Sequence, residues 1–435
     1  MRLTLDILDL APGGEGAARA GPRPVFVPFT APGDRVEAEV PTGEGAAHAA
    51  LLRVLAPGPD RVEAPCAHFG PASPSEPERG CGGCEWLHLR YETQLRQKER
   101  GLAEALRRIG RFDPGALPLG AIVPSPAPLR YRSRAKFHLD RAAGRLVFFR
   151  RRSHEAVPVR ECHLLEPGLE ALRAALGPAL GAARLAPREV ALEWSAHARR
   201  GAALLRVPDA GEGTRRRVEA LLAAVPGLAG VLVQAEGPRA PAAVGDPVVL
   251  HERVPGFPSG GLARSRPDVF QQANRGANAR LVELALDLLR PDGQDVLELF
   301  CGAGNFTGPL AARSRSTWAV EAQGPALDLA RADLGGGRAR FFAGDALAMG
   351  GAFAREGRRF GAVLLDPPRE GLKGLGALLR DLAAPRAVYV SCDPATFARD
   401  LRGSAAAGYR VAAVRAVDMF PQTHHVEAVG LLERA

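Results

Sequence analysis

The sequence predicts an α/β fold over residues 263–435, a doubly wound parallel sheet. A small β-module in residues 1–57 and a mixed α+β segment in residues 58–262 precede it. Three observations predict this layout. From about residue 268, apolar segments of strand length alternate with helical stretches, the signature of parallel βα units. The last two strand segments, 411–417 and 426–432, have no helix between them. Residues 1–57 read as short strands separated by Gly and Pro turns.

A chain of 435 residues exceeds one ordinary core, so two or three domains are expected. Hydrophobic residues at 46% and charged residues at 24% exclude wholesale disorder and collagen-like repetition. No apolar run reaches ~18 residues, which argues against a transmembrane helix. Arg2 and the alternating Leu3-Thr4-Leu5-Asp6-Ile7-Leu8 argue against a secretory signal. A cytoplasmic protein with no membrane partner is the expectation. The net charge of +9 favours an anionic partner without identifying one. Between Arg130 and Arg160, ten basic residues stand against two acidic ones, so this stretch carries almost the whole excess. Tyr131, Phe137, Phe148 and Phe149 are interleaved there, as a surface that tracks a backbone and stacks bases requires. A solvated basic face accounts for the charge equally well.

In chain order, strands are expected at 3–8, 24–29, 35–40 and 51–55. They fit a small β-barrel of the oligonucleotide-binding type or an unspecialised β-module. A Pro/Ser/Glu-rich loop spans 70–79. A helix follows over about 91–109, with Leu95, Leu102 and Leu106 on one face. Residues 120–255 mix short strands and helices, including a hairpin-like pair at 131–139 and 145–149. The regular region places strands at 296–300, 317–320, 340–342, 362–365 and 387–391 before the terminal pair. Five βα units and a closing hairpin is the strand order of class I methyltransferases, a Rossmann-like fold, and at this point an analogy of fold alone.

Six cysteines in 435 residues are too sparse for a disulfide scaffold and suggest a reducing compartment. Cys66, Cys81 and Cys84 form Cys-x14-Cys-Gly-Gly-Cys, and Cys162 follows beside the basic stretch. A Cys-x2-Cys pair joined by two further cysteines is the minimum ligand set for tetrahedral zinc or a 4Fe-4S cluster. Spacing alone leaves both open.

The first strand of the regular region runs into Leu299-Phe300-Cys301-Gly302-Ala303-Gly304-Asn305-Phe306, where the glycines permit a tight turn and close ligand approach. Glu321 ends the second strand, where an acid accepts hydrogen bonds from ribose hydroxyls. Asp345 ends the third, placed to meet an adenine amino group. NAD is the rival ligand. The missing third glycine and the terminal hairpin favour S-adenosylmethionine. The fourth strand ends in Asp366-Pro367-Pro368-Arg369, resembling the loop of amino-group methyltransferases, except that Arg369 replaces the usual aromatic. The fifth ends in Ser391-Cys392-Asp393-Pro394 and puts a thiol at the rim. Carbon 5 of a pyrimidine becomes nucleophilic when a thiolate adds to carbon 6. A base must then remove the carbon-5 proton. Glu427 is the candidate, with His424 and His425 as competitors.

These motifs, with Phe270-Gln271-Gln272-Ala273-Asn274 and the run 419–427, resemble the RNA 5-methyluridine methyltransferase family, the RlmD/RumA and TrmA group. The resemblance covers essentially the whole chain. It implies Cys392 as nucleophile and Glu427 as base, with S-adenosylmethionine contacts at Gln272, Phe300, Asn305, Glu321, Asp345 and Asp366. Residues 1–57 are similar to the family's TRAM domain, and Cys66, Cys81, Cys84 and Cys162 match its 4Fe-4S ligands. The fourteen residues between Cys66 and Cys81 depart from the family's usual shorter spacer. The resemblance implies methylation of a uridine in structured RNA, 23S rRNA ahead of tRNA, by a monomer with no DNA partner. Arg132, Arg134, Lys136 and Phe148 are the expected RNA contacts. A catalytically inactive RNA-binding or chaperone relative is the alternative from another class.

Overall fold

The computed structural model describes residues 1–435 apart from 73, 74, 77, 114, 238, 239 and 254–260. Its first strands are β1 (Arg2–Asp6), β2 (Asp9–Leu10), β3 (Gly16–Ala20), β4 (Arg23–Val27), β5 (Arg35–Glu39), β6 (Ala47–His48) and β7 (Ala50–Ala56). They form two sheets, β1-β5-β7 and β2-β3-β4-β6. Alternation turns Leu5, Val25, Val27, Val36 and Ala38 inward onto one shared core. The four strands expected from the sequence are present. Strand β3, Gly-Ala-Ala-Arg-Ala, was missed because it has no β-branched or aromatic residue to announce it. The expected loop at 70–79 includes 73, 74 and 77, which lie outside the described residues.

Helix α1 (Tyr91–Arg108) follows the cysteine segment. Then come β8 (Arg134–Asp140), β9 (Arg145–Phe149), β10 (Ala156–Val157), α2 (Pro167–Ala182), β11 (Glu189–Ser195), β12 (Arg200–Val207), α3 (Glu212–Ala224), β13 (Leu228–Ala235) and β14 (Ala242–Gly245). The strands make one sheet of order β10-β9-β8-β11-β12-β13-β14, with the expected β8–β9 hairpin near one edge. Leucines of α2 and α3 cover it. The hairpin β15 (Val249–Glu252) and β16 (Leu262–Ser265) leads out of this unit.

The regular region contains α4 (Arg275–Leu289), β17 (Asp295–Leu299), α5 (Thr307–Arg313), β18 (Ser316–Glu321), α6 (Gly324–Leu334), β19 (Ala339–Ala343), α7 (Ala346–Arg355), β20 (Ala362–Leu365), α8 (Leu375–Leu382), β21 (Arg386–Ser391), α9 (Pro394–Ala406), β22 (Tyr409–Val417) and β23 (Glu427–Arg434). Strand order is β19-β18-β17-β20-β21-β23-β22. The first five run parallel, and β23 enters antiparallel between β21 and β22. Every expected strand is found. Strands such as β20, buried along its whole length, read as continuous apolar runs because helices cover both faces. The order reverses between β17 and β20, which opens a crevice at their carboxyl ends. Helix α1 departs from the expected layout. Although it lies within 58–262, its Leu102 and Leu106 are buried in the core of the 263–435 region.

Candidate active site

The crevice begins where β17 turns into α5. Phe300 takes a left-handed φ of 64°, unusual for a residue with a side chain and common at functional turns. Gly304 has φ 91°, and a Cβ there would stand 2.9 Å from Leu334 Cδ1, so only glycine fits without strain. The Glu321 carboxylate, at the end of β18, accepts from Gly302 N (2.9 Å) and Gln323 N (2.8 Å). This fixes the glycine loop against the second strand. Asn305 and Asn278 of α4 exchange two amide hydrogen bonds of 2.8 and 3.0 Å. Asp345 caps α7 by accepting from Ala348 N at 2.9 Å, so part of its carboxylate already has a structural task. Gln272 Oε1 is buried with no hydrogen-bond partner among the described residues. A buried acceptor left open is costly, and a polar ligand in the crevice would satisfy it. On these observations the residues present fit S-adenosylmethionine.

The Gln272 segment is stitched into place from two sides. Ser133 N donates to Ala273 O (2.9 Å), and Asn274 Nδ2 donates to Ser125 Oγ and Met419 O. It therefore joins the middle sheet to the loop that precedes Glu427. That loop, 418–426, is held by buried polar contacts. Lys98 Nζ and Asp418 Oδ1, both fully buried, pair at 2.5 Å. Gln94 exchanges two hydrogen bonds with Gln422. Glu85 N and Trp86 N both donate to Gln422 O, and Tyr131 Oη donates to Pro421 O.

The structure brings Asp366, Arg369, Cys392 and Glu427 together at the rim. Cys392 sits between β21 and α9, whose first turn is capped by Asp393 accepting from Thr396 N at 2.8 Å. Thr396 Oγ1 also donates to Arg369 O (3.1 Å), tying the β20 and β21 loops together. Burial pushes the Cys392 thiol up to about 11. The nearby Glu427 and Asp366 carboxylates add to this, while a hydrogen bond and charge from Arg369 oppose it. Burial, then Asp366, raises Glu427 well above the carboxylate range, and Arg369 again opposes. Burial alone lifts Asp366 to about 7. The competing histidines lie beside this group. His424 Nδ1 faces the Glu85 carboxylate at 2.5 Å, and His425 Nδ1 faces Arg369 Nη2 at 3.3 Å. Cys301 is buried beneath the cofactor loop, its thiol driven far up by desolvation.

Cys66, Cys81, Cys84 and Cys162 line one cavity of about 40 Å³. A Cβ on Gly82 would meet Phe149 O and Arg151 N at 3.0 Å, so the Cys-Gly-Gly-Cys turn runs hard against the end of β9. Burial raises all four thiols, Cys81 to about 11; repulsion from neighbouring cysteines adds to it at Cys66, Cys81 and Cys84, and Glu170 adds to it at Cys162. A bound cationic centre would reverse both effects, since a coordinating thiol is deprotonated outright. Among the described residues no group of three His, Cys, Asp or Glu side chains is set to hold a single ion. Of the four expected RNA contacts, only Lys136 stands exposed. Arg134 reaches Gln271 O and Pro267 O, Arg132 lines the cysteine cavity, and Phe148 packs against Phe137 beside that cavity.

Sequence reasoning missed Glu298. It is the penultimate residue of β17, with neither carboxylate oxygen in a well-formed hydrogen bond among the described residues; burial raises it to about 8, with the nearby Thr307 hydroxyl opposing. An acid inside the apolar run Val296-Leu297-Glu298-Leu299 was the available signal. Asn278 and the Lys98–Asp418 pair gave none, because their partners are distant in sequence. No helix among the described residues is long and apolar enough to cross a membrane.

A parallel sheet that closes through an antiparallel hairpin, with its ligand crevice at the strand-order reversal, defines an S-adenosylmethionine-dependent methyltransferase of class I. The chain superposes on the Pyrococcus abyssi tRNA (uracil-54, C5)-methyltransferase, solved with S-adenosyl-L-homocysteine. The TM-score is 0.76 over 99% of both chains at 22% identity, a likeness of fold. A family model described as tRNA (Uracil-5-)-methyltransferase matches residues 262–338 and 354–435. Two relatives named 23S rRNA (uracil(1939)-C(5))-methyltransferase RlmD are similar over their length. The one from Pseudomonas putida is 35% identical over 99% of this chain and 93% of its own. The one from Thiobacillus denitrificans is 34% identical over 100% of both. The chain belongs to the RNA uracil-C5-methyltransferase family, whose members are S-adenosylmethionine-dependent enzymes.

Proposed function

We propose that the protein methylates carbon 5 of a uridine in 23S rRNA, with Cys392 as nucleophile and Glu427 as base. The observation that carries this reading is the meeting of a rim thiol, an arginine and a buried carboxyl at the crevice edge. Arg369 and the amino terminus of α9 stabilise the thiolate. The thiolate adds to carbon 6 of the uracil, and the displaced π electrons make carbon 5 nucleophilic. Bound S-adenosylmethionine supplies an electrophilic methyl group. Glu427 then takes the carbon-5 proton, the freed electron pair re-forms the ring double bond, and the Cys392 sulfur leaves. A carboxyl whose basicity is raised by burial accepts that proton more readily than an ordinary glutamate.

Gln272, Phe300, Asn305, Glu321, Asp345 and Asp366 are the proposed cofactor contacts. Residues 1–57 serve as a TRAM-type RNA-binding unit, 58–262 as the cluster-bearing unit and 263–435 as the catalytic unit. The four thiols hold a 4Fe-4S cluster in this proposal. They line one cavity, and their likeness to the family's cluster ligands favours the cluster over zinc. Lys136 meets the RNA backbone, and the target base leaves its stack to reach Cys392.

The rRNA-modifying relatives favour 23S rRNA, and the full-length likeness to a tRNA enzyme makes tRNA the second reading. Incubation with labelled S-adenosylmethionine and each RNA, then mapping of 5-methyluridine, decides between them. Label confined to 23S rRNA is expected. Label only in tRNA replaces the substrate, and label in neither overturns the proposal.

A further inference from the structure

Arg369 leaves the β20 loop at an exposed position, and its backbone is fixed by Thr396. Its side chain has a second partner. Nη2 stands 3.3 Å from His425 Nδ1. A guanidinium has five N–H donors and no acceptor, so the imidazole nitrogen facing it must present a lone pair. His425 is therefore neutral in this arrangement, with its ring proton on Nε2.

The surroundings of His425 enforce that state. Burial, His424 and Arg369 depress its basicity to about 4, with Lys98 acting in the same sense and Glu85 against it. Its ring is held edge-on to Phe420 at 6.2 Å and tilted against His424 at 4.3 Å. Through the Lys98–Phe420 hydrogen bond and the Gln94–Gln422 exchange, the whole loop is anchored to α1. The imidazole is thus a preset acceptor that exists before any RNA arrives. Without such an acceptor, an exposed arginine side chain spreads over many rotamers.

Arg369 is also the cation that favours the ionised form of Cys392, against burial, Glu427 and Asp366. We propose that His425 is a positioning residue for the nucleophile: its Nδ1 fixes the Arg369 guanidinium beside the Cys392 sulfur and so raises the fraction of thiolate. The inference rests on Cys392 being the nucleophile. His425 acts through Arg369 and takes no proton from the substrate.

The test is the rate at which iodoacetamide alkylates Cys392 in the full-length protein between about pH 7 and pH 9, read by mass spectrometry of the Cys392 peptide. His425→Ala and His425→Leu should slow alkylation about tenfold, the equivalent of one pH unit. His425→Gln, whose amide oxygen can accept from Arg369, should recover most of the rate. Arg369→Ala should slow it as much, and adding His425→Ala to that variant should change nothing further. Wild-type rates in His425→Ala and His425→Leu would overturn the proposal, as would an equal slowing by His425→Ala in the Arg369→Ala background. If His425→Ala does not fold by circular dichroism, the Leu and Gln comparison carries the test. Methylation in Cys392→Ala separates the two levels. Loss of methylation with an unmoved His425→Ala rate removes only the role of His425, whereas retained methylation removes the nucleophile as well.

Discussion

At the scale of single residues, two carboxyls carry opposite costs and benefits. Asp366 titrates near 3.8 in an unfolded chain and near 7 in the fold. Between those values the unfolded chain sheds a proton that the folded chain keeps, so rising pH favours unfolding. Asp366 thus costs no stability below about pH 4, and its penalty is complete above about pH 7. Asp366→Asn should therefore melt a few degrees above wild type at about pH 8, with the gap closing near pH 4; thermal unfolding across this range checks it. Its cofactor affinity should fall at the same time, the trade expected when a strained site is relaxed. Glu427→Gln removes the proposed base while keeping the shape. Methylation should fall about 10²–10⁴-fold, and an RNA–protein adduct that survives denaturing electrophoresis should accumulate. Absence of that adduct would count against Glu427 as the base. The acids at the strand ends were legible in the sequence because a rim position follows from a strand boundary. The pairing of Asn305 with Asn278 was not, because 27 positions separate the two along the chain.

At the scale of elements, α1 matters more than its position in the chain suggests. Its leucine face was readable from the 3.6-residue period, but Gln94 and Lys98 are buried as well. Those two polar side chains hold the loop before Glu427. Breaking a dry ion pair from one side leaves an uncompensated charge, so Lys98→Met should destabilise the protein by about 3–5 kcal/mol. Lys98→Met combined with Asp418→Leu should recover much of that loss; urea unfolding of the three proteins measures it. The glycine loop after β17 makes a second element-level prediction. Gly304→Ala places a Cβ against Leu334 at a left-handed φ. It should cost about 1–2 kcal/mol of stability and raise KM for S-adenosylmethionine more than it lowers kcat.

At the scale of the whole molecule, the cysteine segment, α1 and the segment ending in Asn274 converge on the loop before Glu427. Cys84 immediately precedes the two amides, Glu85 N and Trp86 N, that hold Gln422 O. On the cluster proposal, Cys84→Ser should lose iron and sulfide, and hydrogen exchange in residues 418–425 should rise while the core of the catalytic sheet stays protected. Unchanged exchange there would mean that the two regions are mechanically independent. The sequence by itself determined the order of strands and helices in the regular region from about residue 268, the rim acids, the rim thiol and the likeness to uracil-C5 enzymes. These depend on local periodicity, turn chemistry and motif spacing, all written along the chain. Only the tertiary structure decided that α1 belongs to the core of the 263–435 region, that Arg132, Arg134 and Phe148 are partly buried while Lys136 stays exposed, and that Arg369 meets His425 and acts on Cys392. Each of those facts depends on which distant side chains share a buried space, where desolvation and pairing set charge and orientation.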